Sequence, residues 1–256
     1  MEQAFVVSLG DLSIPCKLNL PSFGQIRRVV LGVHGLGGSI GDSIQESLAE
    51  EMTMFSSAVF RFDFPAHGEN PAEELTLDGC VRTLLAVAQC AKEKYPEIEE
   101  LCIFATGLGA FITLCCLPEL TQLPGKLRLV VQTPPVLLHN TLLRMTRLNQ
   151  ADFERIGSVT FPTVRPLTVT YRFYKEAMAN AMLIPHPIPM LILHGQEDSY
   201  IPMGDIQNFR RINEGSQLVI IPGTSHRFQE DGAWDMVLDL VRDWFEFQQV
   251  LLLDSE

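Results

Sequence analysis

Residues 101–111 form the segment Leu101-Cys102-Ile103-Phe104-Ala105-Thr106-Gly107-Leu108-Gly109-Ala110-Phe111. Its first five residues are an apolar run without a polar face, which is typical of a strand that is covered on both sides. Gly107 and Gly109 interrupt this run, and mostly apolar residues then continue to Leu117. Glycine adopts the backbone angles of tight turns without a side-chain clash. The segment therefore predicts a buried strand, a sharp turn at Gly107 and a helix over 109–117.

Strands and helices alternate on both sides of this segment. A hairpin with alternating apolar residues over 4–20, turning at Gly10-Asp11, is predicted at the start of the chain. The spacing of apolar residues predicts helices over 43–54, 76–95, 203–213 and 233–250. Short apolar runs predict strands at 28–33, 58–63, 128–132, 189–193 and 216–221. Such alternation implies right-handed crossovers and a mostly parallel central sheet flanked by helices, which is an α/β fold.

The alternation is interrupted between residues 136 and 187. This insertion predicts a helix over 137–150, an extended stretch and a second helix over 171–182. An insertion placed after a strand usually covers the carboxyl edge of the sheet, where ligands bind in open α/β sheets. We therefore expect a single domain over residues 1–256, with a helical cap at 136–187 inserted in it.

Composition limits the classes of function. Hydrophobic residues make up 46% of the chain and charged residues 20%, which is ordinary for a globular protein. The formal net charge of −12 argues against nucleic acid or an anionic membrane as a partner. The sequence has no signal-peptide pattern, no apolar run of membrane length and no C-x-x-C spacing among its six cysteines. These features predict a cytoplasmic protein with no metal and no cofactor.

Five short motifs lie at the ends of predicted strands. They are His34–Gly38, Asp63–Glu69, Ala105–Gly109, His194–Asp198 with Pro202 close behind, and Gly223–Phe228. Together they resemble the α/β-hydrolase fold superfamily, and more narrowly its small, capped, serine-dependent carboxylesterases and thioesterases. The order nucleophile, acid, histidine is the order found in that superfamily. The resemblance covers essentially the whole chain except the insertion, and it implies an α/β-hydrolase fold.

The resemblance also implies roles for particular residues. His226 corresponds to the catalytic base, and Asp198 corresponds to the acid that orients the imidazole. Glu197, one residue earlier on the same loop, stays open as an alternative acid. The backbone N–H groups of Leu36 and Leu108 correspond to the oxyanion hole. A glycine-rich turn without a ligand is the competing explanation for the segments around both leucines.

The position of the nucleophile departs from the pattern of the superfamily. In the elbow G-x-S-x-G, small residues flank the nucleophile. Ala105 and Gly109 occupy these small positions, so Gly107 falls where the nucleophile belongs, and glycine has no group that attacks. A shifted register with Thr106 as nucleophile would put bulky residues such as Phe104 at the small positions. We therefore predict a vacant nucleophile position, either natural or introduced into a serine esterase.

The insertion carries a distinct charge. Its charged residues between 136 and 187 are Arg144, Arg147, Arg155, Arg165, Arg172 and Lys175 against Asp152, Glu154 and Glu176. A basic cap favours an anionic ligand such as a carboxylate or a phosphate-bearing thioester. Pairing of these arginines with the acidic body is the alternative. Arg144, Arg147 and Arg172, with Phe153 as an apolar contact, are the predicted substrate-binding residues.

Three functions are compatible with these features. The first is a protein of esterase or thioesterase ancestry that is inactive or weakly active and binds a small apolar or anionic ligand. The second is an ester or thioester hydrolase in which His226 and Asp198 activate a water molecule above Gly107. The third is a protein-interaction module with a vestigial site. A small ester, thioester or carboxylate is the expected partner in the first two.

Overall fold

The structure is a computed structural model in which residues 1–248 are described. Eight of the described strands form one sheet in the order β1-β2-β4-β3-β5-β6-β9-β10. Their bounds are β1 Glu2–Leu9, β2 Leu12–Asn19, β3 Arg28–Val33, β4 Ser57–Phe62, β5 Glu100–Thr106, β6 Lys126–Gln132, β9 Met190–Gly195 and β10 Gln217–Ile221. The β1–β2 and β2–β4 pairs are antiparallel, and the other pairs of this sheet are parallel. The mostly parallel sheet predicted from the alternation is confirmed.

Helices cover both faces of this sheet. Outside the insertion they are α1 Ser43–Met54, α2 Leu77–Lys94, α3 Leu108–Cys115, α4 Leu117–Leu120, α8 Met203–Ile212 and α9 Ala233–Phe247. Apolar residues of α1 and α9 form one core with one face of the sheet, whereas α2, α3 and α8 contribute to the core on the other face. The α/β-hydrolase fold implied by the motifs has this layered arrangement.

The predicted helix over 109–117 is two elements. α3 ends at Cys115 and α4 begins at Leu117, with Pro118 inside the first turn of α4. Proline cannot donate an interior helical hydrogen bond, which explains the new start. The predicted helix over 233–250 runs to Phe247, and its last two positions lie outside the described residues. Among the described residues, no helix is long and apolar enough to cross a membrane.

The insertion contains more elements than predicted. It comprises α5 Leu138–Thr146, α6 Gln150–Ile156, the strands β7 Ser158–Phe161 and β8 Leu167–Thr170, and α7 Tyr171–Ala179. The single helix predicted over 137–150 is wrong, because Arg147 adopts a left-handed conformation with φ of +57° and ends α5. The predicted extended stretch is an antiparallel hairpin in which Ser158 is opposite Thr170.

The sheet brings several loops to one edge. β3, β4, β5, β6, β9 and β10 run in the same direction, so their carboxyl ends and the loops that follow them share that edge. Every residue of β3, β4 and β9 is buried, as expected for strands covered on both faces. The five motifs identified in the sequence therefore lie along the carboxyl edge.

Candidate active site

The turn at Gly107 joins β5 to α3. Its backbone angles are φ +49° and ψ −119°, a combination that side-chain-bearing residues rarely adopt. The Gly107 N–H donates to the carbonyl of Gln132 on the neighbouring strand at 3.0 Å, which fixes the start of the turn. A Cβ placed on Gly107 would have only the Gly35 Cα within 4 Å, at 3.8 Å. The position is therefore strained in its backbone but open around the missing side chain.

Gly109 lies two residues further on and is constrained differently. A Cβ on Gly109 would lie 2.4 Å from the carbonyl oxygen of His34 and 2.8 Å from that of Val33. No side chain fits at that distance, so the start of α3 packs directly against the end of β3. The requirement for a small residue after the turn thus has a steric cause in this chain.

A histidine and an aspartate meet in the loops after β9 and β10. His226 Nδ1 lies 2.7 Å from Asp198 Oδ2. These loops are adjacent because β9 and β10 pair in parallel, with Gly195 opposite Ile221. The other oxygen, Asp198 Oδ1, accepts from the backbone N–H groups of Tyr200 at 2.8 Å and Ile201 at 2.9 Å. The carboxylate is thus held by three hydrogen bonds.

This environment sets the charge of Asp198. Its side chain is fully buried, and burial alone would raise the pKa of the carboxyl. The hydrogen bonds from His226, Ile201 and Tyr200 outweigh burial, so the Asp198 pKa lies below its usual value. An ionised carboxylate accepts from Nδ1–H of His226, which leaves Nε2 as the acceptor nitrogen of the neutral ring. The His226 side chain remains 21% exposed, so the imidazole is accessible at this edge.

One aromatic residue, Tyr200, packs against the histidine, and one further acidic residue, Glu197, lies on the same loop as Asp198. The Tyr200 ring packs edge-on against the His226 ring, with centroids 5.2 Å apart. Glu197, the alternative acid, is exposed, and its backbone N–H donates to the Thr224 carbonyl at 2.9 Å. The carboxylate that contacts His226 is therefore that of Asp198.

The loop after β3 carries the predicted oxyanion donor Leu36. Within residues 1–248 its N–H has no hydrogen-bond acceptor, and Leu108 is the first residue of α3, whose N–H has no partner inside the helix. His34 fixes this loop, because its Nδ1 is 2.8 Å from the Gly35 carbonyl and its Nε2 accepts from the Phe64 N–H at 3.1 Å. Burial lowers the pKa of His34 to about 4, so the ring is neutral at physiological pH.

Thr106, the alternative nucleophile, ends β5 and does not occupy the strained turn. It is opposite Gln132 in the β5–β6 ladder, and its Oγ1 contacts the Val33 carbonyl at 3.5 Å. Among the described residues, no group of three or more histidine, cysteine, aspartate or glutamate side chains is arranged to hold a metal ion.

The predicted ligand residues of the insertion lie in different surroundings. Arg144 is exposed, and its Nη1 contacts the backbone carbonyl of Tyr200 at 3.4 Å, next to the histidine–aspartate pair. Arg147 is exposed at the end of α5. Arg172 is paired with Glu176 at 3.0 Å, and Phe153 is fully buried against the rings of neighbouring tyrosines. Arg144 is thus the predicted residue with a contact near His226.

Three residues near the site make contacts that the sequence did not predict. Thr163, in the turn between β7 and β8, lies so close to Gly37 that a Cβ on that glycine would be 2.3 Å from the threonine methyl. Arg165, in the same turn, donates to carbonyls of the loop after β4, those of His67, Gly68, Asn70 and Ala72. Tyr200 is the third. None has a local signal, because each acts through a contact that is distant in sequence.

Comparison with known proteins agrees with this architecture. A family model described as "Alpha/beta hydrolase family" matches residues 20–240. No curated protein matches the chain by sequence.

Solved structures that resemble the chain cover nearly all of it. A putative hydrolase from Agrobacterium vitis S4 has a TM-score of 0.78 at 17% identity, covering 96% of this chain and 98% of its own. A soluble variant of monoglyceride lipase from Saccharomyces cerevisiae, bound to a substrate analog, has a TM-score of 0.78 at 15% identity, with coverage of 98% and 96%. Est1E from Butyrivibrio proteoclasticus, bound to ferulic acid, has a TM-score of 0.76 at 16% identity, with coverage of 96% and 99%. At these identities the likeness shows the fold.

Proposed function

The chain belongs to the alpha/beta hydrolase family, and we propose that it binds a small ester, thioester or carboxylate without forming an acyl-enzyme. One observation carries this proposal. His226 Nδ1 and Asp198 Oδ2 are within hydrogen-bonding distance at 2.7 Å, whereas the strained turn, at φ +49°, is occupied by Gly107. Covalent catalysis needs a nucleophilic side chain, and Gly107 supplies none.

The backbone around Gly107 supports the binding of an oxygen atom. The N–H of Leu36 has no acceptor in residues 1–248, and the N–H of Leu108 opens α3. Helix N-termini attract negative charge, because their first N–H groups have no partner within the helix. A carbonyl or carboxylate oxygen placed between these two N–H groups would satisfy both. The carbonyl or carboxylate carbon of the ligand would then lie in the open space beside Gly107, where a Cβ would have only the Gly35 Cα within 4 Å.

Contacts of the insertion support two parts of the proposal, that the ligand is anionic and that the insertion is a cap. Thr163 packs over Gly37, and Arg165 binds the loop after β4, so the β7–β8 turn lies over loops of the carboxyl edge. Two arginines of the insertion form ion pairs: Arg155 pairs with Asp152 at 3.0 Å, and Arg172 pairs with Glu176 at 3.0 Å and with Glu74 of the body at 4.0 Å. Arg144 has no carboxylate partner among the described residues and contacts the Tyr200 carbonyl. Arg144 is therefore the cation that we assign to the ligand.

The first experiment separates covalent from non-covalent binding. Mass spectrometry after treatment with a serine-directed fluorophosphonate should show no adduct on residues 105–109. Titration with butyrate, benzoate and phenyl butyrate should shift the amide resonances of Leu36 and Leu108. The variant Arg144→Gln should weaken benzoate binding several-fold, whereas Arg155→Gln, a matched exposed arginine, should not. An adduct on this segment, or unchanged resonances with all three probes, would overturn the proposal.

A second candidate function is slow hydrolysis by water. The observation that favours it is that Asp198 accepts three hydrogen bonds, one of them from His226. A general base must be held in a fixed orientation, and Asp198 holds the His226 ring in this way. In this case 4-nitrophenyl acetate should be hydrolysed without a burst. The variant His226→Ala should hydrolyse it about 10²- to 10⁴-fold more slowly than the native chain. Asp198→Asn should lower the rate of hydrolysis by a comparable factor, because the amide no longer fixes the tautomer of the His226 ring. A rate that is unchanged in both variants would exclude His226 as the base.

A further inference from the structure

Strand β1 forms an exposed edge of the sheet, remote in sequence from the candidate active site. It pairs with β2 over Glu2–Leu9, and the strand order places it at the end of the sheet. Residues 3–9, Gln-Ala-Phe-Val-Val-Ser-Leu, contain no charge and no proline. Val6 is 56% exposed and Leu9 is 48% exposed. Natural edge strands are usually protected by charges, prolines or bulges, because a free edge pairs readily with other chains. These devices are missing from residues 3–9.

The register identifies the backbone groups that face outward. Val6 is opposite Pro15, and the Pro15 carbonyl accepts from Asp63 N–H at 3.2 Å, on the β4 side of β2. In an antiparallel pair, a residue directs both backbone groups to the same side. Val6 and Pro15 are therefore a pair that exchanges no hydrogen bonds, and the N–H and C=O of Val6 point to the free edge. By alternation, the same holds for Ala4 and Ser8.

A groove runs beside these free backbone groups. It has a volume of about 560 Å³ and lies between β1, α2 and the region of α4. Most of the side chains that line it are apolar, among them Val7, Leu9, Leu85, Ala86 and Leu123. Its volume lies within the usual range for ligand sites. The groove offers space for side chains directly beside an unpaired strand.

The charged groups at the groove are of one sign. Glu93 and Glu119 are its charged lining residues, and both are exposed. Glu93 accepts a hydrogen bond from Gln89 at 2.8 Å, and within residues 1–248 neither carboxylate has an ion-pair partner. A second copy of this chain docked edge to edge would bring these carboxylates towards a chain of net charge −12. The groove is thus complementary to a partner that is both apolar and basic.

We infer that β1 and this groove bind an extended segment of another protein as an added strand, with apolar side chains in the groove and basic side chains at Glu93 and Glu119. In such β-augmentation, main-chain hydrogen bonds provide affinity, and pockets for alternate side chains provide specificity. The added strand pairs with the free backbone groups of Ala4, Val6 and Ser8. Its alternate residues enter the groove, because successive side chains of a strand point to opposite faces. This role does not depend on the site at Gly107.

The test uses a synthetic peptide, acetyl-Lys-Thr-Val-Thr-Val-Thr-Lys-amide, whose lysines and valines share one face. Fluorescence anisotropy should show one-to-one binding to the full chain, and the version with glutamates in place of the lysines should bind at least about tenfold more weakly. Two further peptides carry N-methyl groups on the threonines or on the valines. One of these two should lose binding, because only one alternating set of amides faces β1.

Variants of the chain provide the matched controls. Val6→Pro removes an outward N–H without disturbing the β2 ladder, since edge strands tolerate proline where the N–H faces solvent, and it should weaken binding at least about tenfold. Glu93→Gln with Glu119→Gln should remove most of the preference for the basic peptide, whereas Glu73→Gln, exposed and outside the groove, should not. Circular dichroism and the thermal midpoint verify folding.

Three outcomes would overturn the inference. They are affinity that is unchanged by Val6→Pro in a folded protein, equal binding of both N-methylated peptides, and no binding of the basic peptide. A dimer in sedimentation that Val6→Pro dissociates would assign the edge to a second copy instead.

Discussion

Restoring a hydroxyl at the turn between β5 and α3 is the sharpest perturbation that this structure offers. Gly107→Ser adds a Cβ whose nearest neighbour would be the Gly35 Cα at 3.8 Å, an ordinary van der Waals distance. The cost of the substitution therefore comes from the backbone. A side chain at φ +49° and ψ −119° occupies a sparsely populated region, which costs about 1–3 kcal/mol. For a domain of this size, each kcal/mol lowers the thermal midpoint by roughly 2–4 °C.

The same substitution should create a nucleophile. If His226, held by Asp198, lies within reach of the new hydroxyl, the substitution completes a Ser-His-Asp triad. Loss of one triad member costs several orders of magnitude in kcat, so the gain should be at least about 10³-fold. It should appear in kcat more than in KM, because the nucleophile acts in the chemical step.

Three proteins measured together separate strain from chemistry. The native chain, Gly107→Ser and Gly107→Ala are compared by thermal midpoint, by turnover of 4-nitrophenyl butyrate and by labelling with a fluorophosphonate. Both variants carry a Cβ in the same conformation, so both should lose a similar amount of stability. Only Gly107→Ser should show a burst, steady turnover and an adduct at position 107. His226→Ala added to Gly107→Ser should abolish all three.

The reasoning is refuted if Gly107→Ser folds, loses the expected stability and still shows neither burst nor adduct. That result would mean that the dyad does not reach the turn, and the interaction role would then replace ligand binding at this site. If both variants are as stable as the native chain, the turn does not hold the strained angles.

Further predictions concern stability. Gly109→Ala should destabilise the protein far more than Gly107→Ala, since its Cβ would lie 2.4 Å from the carbonyl oxygen of His34, directly after β3; urea unfolding of both variants compares them. Arg165→Met should cost about 1.5–3 kcal/mol in urea unfolding, with Arg165→Lys in between, because the loop after β4 loses its charged donor. Burial lowers the pKa of His34 to about 4 and that of His67 to about 3, so protonation favours the unfolded state as the pH falls below 6.5. The free energy of unfolding should drop by roughly 2 kcal/mol for each histidine between pH 7.5 and pH 5, and both rings should stay neutral in NMR spectra at pH 5. A stability that rises on acidification over this range would contradict that sign.

Local patterns determined much of the fold. Fully apolar runs identified the central strands, since a strand buried on both faces has no polar side. Gly107 identified the sharp turn, because few other residues adopt its angles. These patterns are local in the sequence, so they could be recognised without knowing which elements pack against each other. They failed at Arg147, where the chain enters a left-handed conformation that helical spacing does not indicate, and in the hairpin of the insertion, which has short strands.

Contacts between distant residues were decided by the tertiary structure alone. The sequence left Asp198 and Glu197 as alternative acids, and the parallel pairing of β9 with β10 brought Asp198 to His226. The carbonyls that Arg165 binds, and the groove along β1, result from elements packed together across the fold. Periodicity reports which face of an element is buried, but the partner on that face depends on the strand order and the register. For this chain the sequence therefore specified the strands, the turn and the reactive residue types, and only the packed sheet specified which of them meet.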